Sequence, residues 1–221
     1  MIRIQIEIVY SKRVHYLSIL FFSLILLTLF SFTYPSNLLK NDFVALGSLW
    51  ALFEFIFFVS LSKLYDPWLE MKAMSVLALS PMSKFIIACS KIVFMMIYVM
   101  SIQIPVIFAW IVLFNIEFRI VHDLSITFLS VLCLFNLTSS SIGVLLSSLV
   151  AFSSMKDVLL PIIFFPLQSM TLISSLSLCY HRLHEKAWSF LSDTAWLTIL
   201  LAYPVIFISL IFLLQDSLFK E

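Results

Sequence analysis

The chain has 221 residues, 62% hydrophobic and 11% charged, and its formal net charge is +1. Soluble domains run at roughly 45–50% apolar and about 25% charged, so with a mean hydropathy of +1.12 an ordinary soluble globule is excluded and an integral membrane protein is indicated. Gly47 and Gly143 are the only glycines, which excludes a P-loop ATPase and a glycine-rich dinucleotide site, and the basic residues form no stripe for nucleic acid.

The amino terminus alternates as Ile2-Arg3-Ile4-Gln5-Ile6-Glu7-Ile8, the period of a strand. A lone strand at a membrane surface leaves its backbone unpaired. Ile2, Ile6 and Val9 also suit one helix face, so an N-terminal interfacial helix is expected. About 20 apolar residues cross the hydrocarbon core, and six uncharged stretches approach or exceed that length. They are Tyr16–Thr33, Phe43–Ser62 (interrupted by Glu54), Ile92–Asn115, Leu124–Met155, Val158–Leu178 and Thr194–Gln215. The first follows a long charged leader and precedes no small-residue cleavage site, so a retained helix is expected rather than a signal peptide. The predicted fold class is an all-α integral membrane protein, a single polytopic membrane domain over residues 1–221 with six transmembrane helices.

Six spans place both termini on one side. That side holds Arg3, Lys12, Arg13, Lys63, Lys72, Lys84, Lys91, Lys156 and Lys220; the opposite side holds Lys40, Arg119, Arg182 and Lys186. Basic residues accumulate on the cytoplasmic side, so cytoplasmic termini are expected. The longest cytoplasmic loop then runs from Lys63 to about Lys84, between spans two and three. Asp66-Pro67 is a helix start and Ser80-Pro81 a stop, and Leu69, Ala73, Val76 and Leu77 recur at helical spacing between them. A short amphipathic helix on the cytoplasmic face is predicted. Periodicity leaves two roles open for it, an interfacial cap or a docking helix for a cytoplasmic partner.

Gly47-Ser-Leu-Trp50, Leu61, Leu64-Tyr65, Leu69, Leu77-Ala-Leu79-Ser80-Pro81 and Lys91 succeed one another along a single segment, and a later span carries Leu160-Pro161-Ile-Ile-Phe-Phe-Pro166-Leu. In these residues, the six spans and the length, the chain resembles the cytochrome c maturation protein B (CcmB) family, the membrane subunit of a haem-exporting ABC transporter. The resemblance implies a permease subunit with no catalysis of its own, in a bacterial inner membrane or a mitochondrial inner membrane. It implies that the loop helix is a coupling helix, with Asp66, Leu69, Glu70, Lys72, Ser75, Leu77, Leu79 and Pro81 meeting a cytoplasmic ATPase that binds ATP. The family's usual glycine and, three residues on, glutamate are here Lys72 and Ser75, leaving Glu70 as the replacement acidic contact. A second six-span membrane subunit, the same or different, is implied as well, with haem as the substrate. The alternatives are a permease for another apolar solute, or a membrane scaffold that moves nothing.

Four polar residues lie inside the spans as candidates for a translocation path or a helix interface: Glu54, Gln103, Asn136 and Gln168. An ionised carboxylate at the bilayer centre costs about 2.5–3.5 kcal/mol on insertion scales. Glu54 is therefore expected to be protonated or paired, with neutral partners among Gln103, Asn136 and Gln168, or a residue of another subunit. Asn136-Leu-Thr-Ser-Ser-Ser-Ile-Gly143 gathers small and hydroxylated residues, which let helices approach closely. Pro105, Pro161 and Pro166 free backbone carbonyls that must find other donors. His181 and His184 share a helix face if their loop is helical. As neutral imidazoles they are candidate haem ligands, although interfacial anchoring beside Tyr180, Arg182 and Trp188 is the more ordinary role for them. Cys89, Cys133 and Cys179 are far apart and read as free thiols. No cofactor bound by the chain itself is expected.

Overall fold

The computed structural model describes residues 13–35, 41–70, 83–115, 118–150, 156–184 and 190–218. These form six α-helices: α1 (Arg13–Thr33), α2 (Asp42–Glu70), α3 (Lys84–Leu113), α4 (Phe118–Val150), α5 (Lys156–His184) and α6 (Phe190–Leu218). Each holds a run long and apolar enough to cross a bilayer: Val14–Thr33, Asp42–Ser62, Lys84–Leu113, Ile126–Val150, Val158–Arg182 and Thr194–Leu214. Hydrocarbon offers no partner for backbone N–H and C=O groups, so a spanning segment that satisfies them internally is a helix. The expected all-α, six-span membrane fold is the one observed. The N-terminal interfacial helix falls outside the described residues.

Helix ends depart from the uncharged stretches for identifiable reasons. Helix α3 starts at Lys84 rather than Ile92, because the Ser83 hydroxyl accepts the Ile86 N–H at 3.4 Å and caps it there. Lys91 stood as the boundary of the uncharged run, yet it is helical and only 3% exposed. At the other end Asn115 adopts φ 50, a left-handed conformation that asparagine tolerates and that stops the helix. Helix α5 carries on past Leu178 to His184. The expectation that Asp66-Pro67 begins a separate helix is corrected: α2 runs through both to Glu70. Proline removes one helical hydrogen bond, and close to a helix end the turns before it keep theirs.

Helices α2 and α4 form the centre. Their spanning windows are 67% and 72% buried, α3 is intermediate at 44%, and α1, α5 and α6 reach 17%, 28% and 22%. Lipid tails are as apolar as leucine, so close packing rather than water exclusion holds such helices together. Trp50 of α2 lies 5.1 Å from Phe135 and 5.7 Å from Phe128 of α4 between ring centroids. Phe57 of α2 stacks on Phe164 of α5 at 5.6 Å. At Gly143 α4 comes close to α2: a Cβ there would stand 2.9 Å from Leu61 Cδ1 and 3.2 Å from Phe57 Cε1.

Besides Pro67 near the end of α2, prolines lie inside three helices, at Pro105 in α3, Pro161 and Pro166 in α5, and Pro204 in α6. Pro105 cannot donate to the carbonyl four residues back, which belongs to Ser101. The Tyr16 hydroxyl of α1 donates to that carbonyl at 3.0 Å. The freed acceptor is thus taken up by a neighbouring helix.

A buried polar seam at mid-depth

On α2, Gly47, Trp50, Glu54, Phe57 and Leu61 repeat at intervals of three and four residues and so share one face. Contacts along that face fix its neighbours. Against α5, Phe43 meets Tyr180 at 5.2 Å, Gly47 approaches Leu176, and Phe57 meets Phe164. The two helices are therefore antiparallel, and stepping inward from any of these pairs brings Glu54 opposite Gln168. Against α4, Trp50 meets Phe135 and Phe57 approaches Gly143. This parallel register sets Glu54 level with Ser139.

Helices α2 to α5 deliver polar groups to this level. Gln103 of α3 and Asn136 of α4 exchange two hydrogen bonds: Gln103 Nε2 donates to Asn136 Oδ1 at 3.1 Å, and Asn136 Nδ2 donates to Gln103 Oε1 at 2.7 Å. Both side chains are fully buried. Gln168 Nε2 donates to Ser139 Oγ, whose own proton goes to the Phe135 carbonyl at 2.8 Å. Glu54 is 5% exposed, and among the described residues neither of its carboxyl oxygens has a hydrogen-bond partner; Gln168 Oε1 is in the same condition. Low-dielectric surroundings make each such unmet acceptor costly.

All four intramembrane residues singled out in the sequence are thus buried, and two of them pair with each other. The hydroxyl-rich segment of α4 acts mainly within its own helix. Thr138, Ser141, Ser147 and Ser148 donate to the Leu134, Leu137, Val144 and Val144 carbonyls at 2.9, 2.8, 3.0 and 2.8 Å. Small groups held down in this way leave α4 smooth enough for close approach. Ser139, Tyr16 and Lys91 were not among the expected site residues. A serine in a serine run carries no distinguishing mark, and Tyr16 read simply as the start of a span.

His181 lies in the last turn of α5, its ring 6.3 Å from Tyr180, and His184 ends that helix, so the helical spacing that the pair required is present. Among the described residues, no three His, Cys, Asp or Glu side chains gather as a metal site. Asp66, Leu69 and Glu70 fall in the final turns of α2. Lys72, Ser75, Leu77, Leu79 and Pro81 lie outside the described residues. Cys89, Cys133 and Cys179 are free thiols, with Cys179 buried.

Fold and seam together define a multi-pass membrane protein in contact with the lipid bilayer, in which α2 to α5 carry a buried stratum of carboxyl, amide and hydroxyl groups. No protein-family model, curated protein or solved structure matches this chain.

Proposed function

We propose that the chain is the permease subunit of an ABC-type transporter complex, with haem for c-type cytochrome assembly as the substrate that the CcmB resemblance favours. The ATP would be bound and hydrolysed by a separate cytoplasmic ATPase, and a second six-span subunit would complete the path. The chain would sit in a bacterial inner membrane, or in a mitochondrial inner membrane, with cytoplasmic termini.

One observation carries this reading. Helix α2 runs unbroken from Asp42 to Glu70, so the polar seam at Glu54 and the segment that begins at Asp66 belong to one rod. At 1.5 Å per residue the two lie roughly 20 Å apart. Force applied by a docked ATPase near Glu70 would reach the seam without passing a loop. Helix α2 is also gripped by α4 and α5, so a shift of it repacks the centre of the bundle. This is the arrangement that a lever needs and a passive anchor does not.

Affinity purification in mild detergent tests the proposal. The wild-type chain should bring down an ATPase and retain haem, and Glu70→Lys combined with Ser75→Pro should lose the ATPase while the bundle stays folded. Undiminished ATPase recovery with the double variant would show that the docking assignment is wrong.

A further inference from the structure

Direction is fixed along the contact between α4 and α5. The Ser139 hydroxyl spends its only proton on the Phe135 carbonyl, so toward Gln168 its oxygen can only accept. Gln168 must therefore turn its NH₂ to Ser139 and its Oε1 away. That oxygen is buried and, among the described residues, receives no donor. The register of α2 against α5 brings Glu54 to the same depth, on the face that carries Phe57 onto Phe164. Two kinds of buried oxygen, carboxyl and amide, thus lie at one level of the α2–α5 contact, and among the described residues neither receives a hydrogen.

Among the described residues, the spans packed against α2 carry their charged groups toward the ends and none at this level. In α1, His15 and Tyr16 sit at the start of the span, and the Tyr16 hydroxyl is committed to Ser101. In α3, Tyr98 packs edge-on against Tyr16 at 5.9 Å and Lys91 lies two turns nearer the helix start. The spanning part of α4 offers only Cys133, and that of α5 offers Cys179, Tyr180, His181 and Arg182 at its far end. A metal cation fits poorly, because hard cations take six or more oxygen ligands.

We propose that Glu54 is a proton-binding site: the proton rides on its carboxyl and is donated to Gln168 Oε1, completing a one-way chain from Glu54 through Gln168 and Ser139 to the Phe135 carbonyl. Gln168 Oε1, an acceptor left unmet, then has its donor, and the Glu54 hydroxyl has its acceptor. Losing the proton leaves a carboxylate against an amide oxygen and pushes α2 away from α5. The bound proton is thus a latch between the central helix and an outer one. The site stands whether or not the chain serves a transporter.

Infrared absorption of the purified protein in lipid vesicles at neutral pH tests this. Carbon-13 labelling of glutamate should displace a carbonyl band characteristic of a protonated carboxylic acid, and Glu54→Gln should abolish it. Gln168→Met should move the band by removing its hydrogen-bond acceptor. A wild-type spectrum with no isotope-sensitive protonated-acid band would overturn the site, and needs no variant to fold. A band that Gln168→Met leaves in place would overturn the partner.

Discussion

Asn136 and Gln103 hold α3 to α4 through a reciprocal amide pair, the most completely satisfied polar contact in the seam. Each amide serves as donor and acceptor to the other, so removing one strands two polar atoms of its partner in a dry interior. A buried donor or acceptor left unmade costs about 1–3 kcal/mol. Asn136→Leu, close to isosteric, should therefore lower the thermal midpoint in detergent. Adding Gln103→Met should recover part of that loss, because no stranded amide remains. A double variant as unstable as the sum of its parents would show that the pair does not couple. Polar residues within apolar runs are easily seen, and Glu54, Gln103, Asn136 and Gln168 were all legible in the sequence for that reason. Which pairs with which was not. Pairing depends on helix rotation and register, and neither leaves a trace in a hydropathy pattern.

Between elements, the contact of α1 with α3 is unusual in its chemistry. Pro105 leaves the Ser101 carbonyl without its helical donor, and Tyr16 supplies one from a different span. Helix α1 is the least buried of the six, so a single directional bond has weight in fixing its position. A typical hydrogen bond contributes about 0.5–1.5 kcal/mol net. Tyr16→Phe should lower stability by that order in the wild-type background. In Pro105→Ala the restored amide bonds Ser101 itself, and the same tyrosine change should become close to neutral. Equal losses in the two backgrounds, read from thermal unfolding, would refute the compensation. The helices and their order follow from run length alone, because 20 apolar residues admit few other states. Their ends were less legible. Lys84 and Lys91 suggested water, yet one opens a capped helix and the other is buried near its start. Asp66-Pro67 suggested a break where α2 continues.

At the scale of the whole molecule, two helices rich in seam residues are encircled by four that face lipid to differing degrees. Counted along the sequence with six spans, nine basic residues are expected on the side of the termini and four on the other. Positive charge resists transfer across the membrane during insertion, so the terminus-bearing side should be cytoplasmic. Ser83 and Pro35 are exposed at opposite ends of the bundle. With Cys89 and Cys133 replaced by serine, Pro35→Cys should react with a membrane-impermeant maleimide in intact cells. Ser83→Cys should react only after permeabilisation; Cys179 is buried and stays silent in both. Orientation decides more than topology here, because a nucleotide-driven partner can act only where ATP is. The reverse labelling pattern would place the end of α2 on the wrong side for an ATPase, and would remove the permease reading while leaving the seam and its proton site intact.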